Sequence, residues 1–131
     1  MFEGGEKAAR KPREELSSND HRVARVMQAI DADPSQSLRQ LAGTVNLSSS
    51  RLSHLFKAAT GTSLRDQLAN RRLERAAKLL QSREVPVKEV SYRVGYRHTS
   101  SFVRAFKHRF GSSPNDYRHA QRLMLSDSRL G

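Results

Sequence analysis

The chain has 131 residues, which is enough for one ordinary domain or for two very small ones. Hydrophobic residues make up 36% of it, and the absence of cysteine excludes disulfides, zinc ribbons and thiol catalysis. Residues 1–18 contain no apolar run that would indicate a signal peptide. No stretch reaches the roughly 20 apolar residues of a membrane span, so we expect an intracellular protein without a membrane partner.

Positive charge is concentrated in one part of the sequence. The chain carries 24 lysines and arginines against 13 aspartates and glutamates, which gives a net charge of +11. Residues 51–122 hold 16 of the basic residues and 5 of the acidic ones, and this accounts for the whole excess. A positive field confined to one segment indicates a polyanionic partner, of which duplex DNA is the commonest. A basic surface that serves only solubility is the alternative.

The N-terminal part of the chain is predicted to be a tail followed by a helix. Residues 1–18 mix charges with two glycines and a proline and show no apolar period, which is typical of a disordered tail or the remnant of a linker. From Asn19 onward apolar residues recur at helical spacing, and Asp33-Pro34 ends the run. This helix begins a helix-turn-helix subdomain that we expect over residues 19–62.

Two shorter helices complete this first subdomain. Ser37 and Gln40 form a capping box that opens the second helix, and Asn46 can adopt the left-handed conformation that ends it. The third helix begins in the serines that follow Leu47, and Gly61 is its expected C-cap.

A linking helix and the second subdomain follow. Ser63 caps the linking helix, which we expect over residues 63–83, and some 20 residues at about 1.5 Å each make it roughly 30 Å long. Pro86 stands at the first position of the next helix, where its missing N–H costs nothing, and Gly95 closes that helix.

The second subdomain is expected over residues 84–122. Its third helix ends at Gly111, and Ser113-Pro114 opens the last helix, before a tail over residues 123–131. The sequence therefore predicts an all-α, homeodomain-like fold. We expect seven helices, arranged as two helix-turn-helix subdomains joined by a long central helix.

The two subdomains repeat one pattern. At an offset of 49 residues, Leu38, Leu41, Val45 and Leu47 match Val87, Val90, Val94 and Tyr96. At an offset of 50 residues, Leu52, Phe56-Lys57, Gly61 and Ser63 match Phe102, Phe106-Lys107, Gly111 and Ser113. Because the apolar positions, the glycine and the capping serine all recur at fixed distances, we interpret the pattern as a duplication.

In a helix-turn-helix unit the second helix lies in the major groove and presents small polar and basic residues to the bases. The outward residues of the first unit are Ser49, Ser50, Arg51, Ser53, His54 and Lys57, and those of the second are His98, Thr99, Ser100, Val103, Arg104, Lys107 and His108. Arg104 can pair with guanine N7 and O6 in bidentate fashion. A solvated helix face is the alternative for each of these residues.

The linking helix carries basic residues of its own. These residues are Arg65, Arg71, Arg72, Arg75 and Lys78. They can contact phosphates or form internal ion pairs with Asp66 and Glu74, and the sequence leaves both possibilities open. A helix of roughly 30 Å would also hold the two reading helices near the 34 Å separation of successive major grooves.

The sequence gives little support to other classes of function. The five histidines include no pair at i, i+4 spacing and no HExxH pattern, and no glycine-rich phosphate loop or nucleophile elbow is present. We therefore expect no enzyme, no metal and no cofactor. A helical protein-interaction or RNA-binding module with non-specific affinity for polyanions remains the alternative. RNA binders usually expose aromatic residues, whereas the phenylalanines here fall on the inner faces of their helices.

These motifs resemble the DNA-binding domain of the AraC/XylS family of bacterial transcription regulators over about residues 20–120. The second unit carries the strongest resemblance, in Gly95-Tyr96, Ser101-Phe102, Arg104, Phe106-Lys107, Phe110-Gly111, Ser113-Pro114 and Tyr117-Arg118. The first unit adds Leu41-Ala42, Ser48, Leu52-Ser53, Leu55-Phe56-Lys57, Thr60-Gly61, Arg72, Ala76 and Leu79-Leu80. Two positions depart from the family pattern, since Asn46 stands where glycine is usual and Ser91 where alanine is usual.

The resemblance implies a DNA-bending monomer that activates transcription through RNA polymerase, as a cytoplasmic, nucleoid-associated bacterial protein. The family's base-reading positions fall on Ser50, Ser53, His54, Thr99, Ser100, Val103 and Arg104. Contacts to the DNA backbone are expected from Ser49, Arg51, Lys57, Arg97, His98 and Lys107. Many members carry a separate effector or dimerisation domain, so the chain is either a stand-alone member or the DNA-binding end of a longer regulator.

Overall fold

A computed structural model describes residues 13–82 and 84–130 of the chain. Within these ranges the backbone forms seven α-helices and no strand, as the sequence predicted: α1 (Arg13–Ala32), α2 (Leu38–Gly43), α3 (Ser49–Thr60), α4 (Leu64–Leu79), α5 (Val87–Arg93), α6 (Thr99–Phe110) and α7 (Pro114–Leu130). None of the helices in these ranges combines the length and the apolar content that crossing a bilayer requires.

Four helices begin at a serine that caps them. Each serine hydroxyl accepts a hydrogen bond from the backbone N–H three residues further on, at 3.0–3.1 Å, and the pairs are Ser37 with Gln40, Ser48 with Arg51, Ser63 with Asp66 and Ser113 with Asp116. At α2 the side chain of Gln40 also accepts from the N–H of Ser37 at 2.9 Å, which completes the predicted capping box. The caps satisfy N–H groups that have no partner within the helix.

The two terminal helices are longer than the apolar pattern indicated. Helix α1 begins at Arg13 rather than Asn19, so residues 13–18 of the expected tail are helical, while residues 1–12 lie outside the described ranges. Helix α7 continues to Leu130, through most of the tail expected from residue 123. No proline or glycine interrupts either extension, so the backbone hydrogen bonds continue beyond the apolar face that packs on the core.

Helix α4 is shorter than predicted. It has 16 residues and therefore a length of about 24 Å, against the expected 30 Å or so. Its end tightens, because Gln81 and Ser82 donate to carbonyls three residues back, at 3.2 Å each. The position predicted for Pro86 is also wrong by one residue, since Pro86 is the N-cap of α5 in an extended conformation and Val87 is the first helical residue.

Two separate cores underlie the two subdomains. The first consists of residues from α1 to α4: Val26, Ile30, Leu41, Ala42, Val45, Leu52, Phe56, Leu64 and Leu68. The second consists of residues from α4 to α6: Leu73, Ala76, Ala77, Leu80, Val90, Val94, Phe102 and Phe106. Helix α4 thus contributes its first half to one core and its second half to the other. It is a shared structural element of both subdomains rather than a spacer between them.

Candidate nucleic-acid interface

The turns between α2 and α3 and between α5 and α6 are built alike. In the first, the N–H of Leu47 donates to the carbonyl of Ala42 at 3.0 Å; in the second, the N–H of Tyr96 donates to the carbonyl of Ser91, also at 3.0 Å. These donors and acceptors are matched pairs in the 49-residue repeat. The duplication read from the sequence is therefore present in the backbone hydrogen bonds of both helix-turn-helix units.

Each turn requires one residue with a positive φ. Asn46 has φ = 57° and Gly95 has φ = 110°, and they occupy the same place in the 49-residue repeat. Asparagine is one of the few residues besides glycine that adopts the left-handed conformation at modest cost. The left-handed conformation predicted for Asn46 is confirmed, but α2 ends at Gly43 with Thr44 as its C-cap, so Asn46 lies in the turn rather than at the end of the helix.

Helix α3 presents a polar outer face. Its inner face is anchored by Leu52 and Phe56, which are almost completely buried in the first core. Of the predicted contact residues, Ser50, Arg51, His54 and Lys57 are exposed, and Ser49 and Ser53 are half-buried. The predicted residues therefore share the side of the helix that faces away from the core.

Helix α6 presents the corresponding face in the second subdomain. Phe102 and Phe106 are fully buried beneath it. Five of the predicted contact residues are exposed, namely Arg97, His98, Ser100, Arg104 and Lys107. Thr99 and Val103 are half-buried, and Val103 packs against the second core. Part of the Val103 side chain is therefore engaged in the core rather than available to a base.

Four basic residues predicted to contact DNA, Arg51 and Lys57 of α3 and Arg104 and Lys107 of α6, take no part in the ion pairs of the described structure. The pairs join Arg71 to Asp31 at 3.1 Å, Arg109 to Glu74 at 3.9 Å, and Arg93 to Glu89. Within the described ranges no acidic side chain neutralises Arg51, Lys57, Arg104 or Lys107. The charge on the outer faces of α3 and α6 is thus available to an anionic partner.

The basic residues of α4 divide into different roles. Arg71 pairs with Asp31 of α1, while Glu74 accepts its ion pair from Arg109 of α6. Arg72 is half-buried and donates to two backbone carbonyls: from Nε to Pro34 at 2.7 Å and from a terminal nitrogen to Gln36 at 2.8 Å. In the described structure neither Asp66 nor Glu74 pairs with a basic residue of α4, so the internal pairs that the sequence left open do not form there.

The half-buried position of Arg72 was not predicted from the sequence. A signal was present, because Leu68, Arg72, Ala76 and Leu80 follow one another at four-residue spacing along a single face of the helix. A basic residue within such an apolar row points toward the protein interior. Burial lowers the pKa of Arg72, although an arginine guanidinium stays charged in proteins. The neighbouring hydroxyl of Tyr96 has its pKa raised by burial, an effect that Arg72 partly offsets.

Among the described residues, no three histidine, cysteine, aspartate or glutamate side chains come together in a group that could hold a metal ion.

Comparison with known proteins gives this surface a context. Residues 41–120 match the family model of a helix-turn-helix domain. The chain is 35% identical over 102 residues to the arabinose operon regulatory protein of Escherichia coli, a match that covers 76% of this chain and 35% of that protein. It is 37% identical over 97 residues to the transcriptional activator NphR of a Rhodococcus species, covering 74% of this chain and 29% of that one.

A solved structure agrees with these sequence relatives. The DNA-binding domain of AdpA, a global transcriptional factor determined in complex with a target DNA, superimposes with a TM-score of 0.68 and 28% identity, over 78% of this chain and 94% of that domain. The chain spans somewhat more than a third of the length of the first regulators it matches, at 35–38%. The family model covers more than half of the chain, and its relatives and structural neighbours are regulators of one type. The chain therefore belongs to the AraC/XylS family of DNA-binding transcription regulators, which are not enzymes.

Proposed function

We propose that this chain recognises DNA by inserting α3 and α6 into two adjacent major grooves of one duplex. The observation that carries the proposal is the pair of equivalent turns, which present two polar, basic helix faces from a single shared α4. A helix-turn-helix unit reads bases with its second helix, and two such units in one chain can read two half-sites without a dimer. We therefore propose binding as a monomer, unless the chain is part of a longer regulator.

The proposed contacts divide between bases and phosphates. In the second groove Arg104 is the main base reader, because it is exposed, unpaired in the described structure and able to bond guanine in bidentate fashion. Ser50, Ser53 and His54 read the first groove, and Thr99, Ser100 and Val103 assist in the second. Ser49, Arg51, Lys57, Arg97, His98 and Lys107 hold the flanking phosphates, which sets register and affinity rather than sequence preference.

The bound duplex is proposed to bend toward the protein. Helix α4 spans about 24 Å, which is less than the 34 Å or so between successive major grooves on one face of straight DNA. Bending brings the grooves closer together on the inner side of the curve, at a cost that additional contacts can offset.

At the level of the cell we propose transcriptional activation through contact with RNA polymerase, at the nucleoid in the bacterial cytoplasm. The relative NphR is described as a transcriptional activator, which supports the direction of regulation.

The proposal is tested by selecting binding sites from a random duplex library with the purified chain, followed by footprinting at low and moderate salt. We expect an asymmetric site whose two protected major grooves are centred about 10 base pairs apart. Enrichment of sequence in one groove alone would show that α3 contacts the DNA backbone without reading bases. Failure to enrich any sequence would overturn the proposal in favour of a protein-interaction or RNA-binding module, which an RNA library run in parallel would identify.

A further inference from the structure

The two subdomains touch at one point where almost no free space remains. A Cβ atom placed on Gly95, in the turn of the second subdomain, would lie 2.9 Å from the Cα of Ser35 in the α1–α2 loop of the first. The same atom would lie 2.9 Å from Nε of Arg72. We refer to Arg72, Gly95 and the Pro34–Gln36 segment as the junction.

Arg72 holds both sides of the junction. Its guanidinium donates to the carbonyls of Pro34 and Gln36 in the first subdomain, at 2.7 and 2.8 Å. It also lies 5.8 Å from the ring centroid of Tyr96 in the second subdomain. A planar guanidinium that donates from two nitrogens fixes the direction of its partners as well as their distance. One side chain therefore bonds the loop of one unit and packs against the turn of the other.

Arg118 provides an internal comparison. It also donates to two backbone carbonyls, those of Leu80 and Val85. Both acceptors lie at the end of α4 or just before α5, and the donor is on α7. Arg118 thus stabilises the second subdomain internally, whereas Arg72 is placed between the subdomains.

We infer that Arg72 is a positioning residue that sets the spacing at which the two half-sites of the operator can be read together. The inference rests on the proposed function, in which α3 and α6 enter two grooves at once. Helix α4 joins the two units covalently, but rotation or bending at its middle would change the angle between the reading helices. The junction opposes that motion because Arg72 engages the backbone on one side and the Gly95-Tyr96 turn on the other.

The spacing of the two reading helices can be measured with DNA sites of different length. Adding one base pair between the half-sites moves the second by about 3.4 Å and rotates it by about 34°. A rigid pair of reading helices cannot follow that change, whereas a pair with a loosened junction can. The test is therefore a series of operators, taken from the selected site, with zero, one or two base pairs inserted or removed between the half-sites.

We expect the unaltered chain to prefer one spacing about tenfold or more over its neighbours, which corresponds to the loss of one good base contact. Arg72→Ala should reduce that preference to about threefold or less, while its affinity for each half-site alone stays near that of the unaltered chain. Arg72→Lys should behave like Arg72→Ala, because an ammonium keeps the charge but cannot reproduce the two-pronged donation. Gly95→Ala places a Cβ atom against Ser35 and Arg72 from the side of the second subdomain, and it should also weaken the preference for one half-site spacing.

The matched control is Arg118→Ala. This variant loses an equivalent pair of hydrogen bonds and should unfold at a lower temperature, yet retain the spacing preference. A merely structural role for Arg72 would make the two alanine variants alike in both measurements. Retention of the spacing preference in Arg72→Ala, or its rescue by lysine, would overturn the inference.

A second measurement needs no DNA. The chain has no cysteine, so Ala58→Cys and His108→Cys, at matched exposed positions of α3 and α6, give unique sites for spin labels. We expect a narrow distance distribution that broadens when Arg72→Ala is added and stays narrow with Arg118→Ala. An unchanged distribution in Arg72→Ala would overturn the inference and leave the proposed function intact. If the unaltered chain enriches no two-groove site, the proposed function fails and the spacing role fails with it, even where the distances respond.

Discussion

The carbonyl groups of Gln36 and Val85 occupy matched places in the two repeats, and each accepts a hydrogen bond from an arginine guanidinium. The donors do not match in the same way. Arg72 and Arg118 are 46 residues apart, whereas the repeat offset in this region is 50, so the second arginine lies about one helical turn earlier on its helix. The backbone acceptor therefore has the same place in both repeats, whereas the arginines that donate to it differ in position by about one helical turn. Arg72 also lies against Tyr96 of the neighbouring subdomain.

Arg104 gives the sharpest prediction for base recognition. Arg104→Ala should weaken binding to the selected operator by about 1–3 kcal/mol and abolish the base preference in the second groove only. Titration of the operator and of single-base variants in both grooves measures this effect. Arg104→Lys is the matched control, because it retains the charge for phosphates but loses the bidentate geometry. An equal loss of preference in both grooves would contradict the assignment of α6 to one half-site.

Lys57 and Lys107 are matched residues of the repeat and are both exposed. If each binds a phosphate, replacing either with alanine should reduce the slope of log affinity against log salt by about 1 and weaken binding to all sequences alike. Arg25→Ala on α1 removes the same charge outside both turns and serves as the control. Equal slopes in Lys57→Ala and the unaltered chain would show that α3 contacts the backbone through other residues.

Asn46 tests the requirement for a left-handed residue in the first turn. Asn46→Ala should lower the free energy of unfolding by about 1 kcal/mol, because a β-carbon without a compensating hydrogen bond disfavours φ = 57°. Asn46→Gly should be neutral or stabilising. Chemical denaturation of the three proteins measures the difference. A stable alanine variant would mean that the turn adopts another conformation in solution.

The carboxylate of Asp33 should make the stability of the folded chain depend on pH. The hydroxyl of Ser35 at 2.6 Å and its N–H at 3.0 Å donate to the carboxylate, and these bonds lower the pKa of Asp33 below its ordinary value of 3.8. Since the folded state then holds the proton less tightly, the stabilisation is complete above pH 3.8 and is lost as pH falls through the lower, folded-state pKa. Melting temperatures of the unaltered chain and Asp33→Asn should therefore differ at neutral pH and converge in acid. A difference in melting temperature that is the same at every pH would show that the ionised carboxylate of Asp33 is not the source of the stabilisation.

Ser91 is a buried polar residue in α5, with 1% of its surface exposed. In the described part of the chain its hydroxyl forms no hydrogen bond, and burying an unpaired hydroxyl is unfavourable. Ser91→Ala should therefore raise the free energy of unfolding by about 1 kcal/mol. Ser101→Ala, at an exposed position of α6, measures the gain in helix propensity alone. A gain at Ser91 no larger than that at Ser101 would show that the hydroxyl is satisfied.

Features set by local chemistry were predictable from the sequence. Ser37, Ser48, Ser63 and Ser113 cap helices where expected, and Gly61 and Gly111 end α3 and α6 with φ values of 81° and 84°. These residues determine a backbone conformation within a few positions of themselves, so no tertiary information is needed. The polar outer faces of α3 and α6 were predictable for the same reason, because helical periodicity separates Leu52 and Phe56 from the polar residues between them.

Features that depend on residues far away in the sequence were not predictable in this way. The role of Arg72 is decided by carbonyl groups that are 36 and 38 residues away, and helical spacing alone shows only that it lies in an apolar row. The ends of α1, α4 and α7 were misplaced because strong helix formers continue a helix beyond its packed face, and tight turns stop it without a proline or glycine. Which bases α3 and α6 contact depends on the docked duplex and stays a prediction.

The two cores have no buried residue in common, although α4 contributes to both. A substitution beneath α3 therefore removes no packing atoms from beneath α6, and the reverse holds as well. If the proposed function holds, a substitution that changes the sequence preference of one half of the operator can therefore leave the contacts of the other half intact.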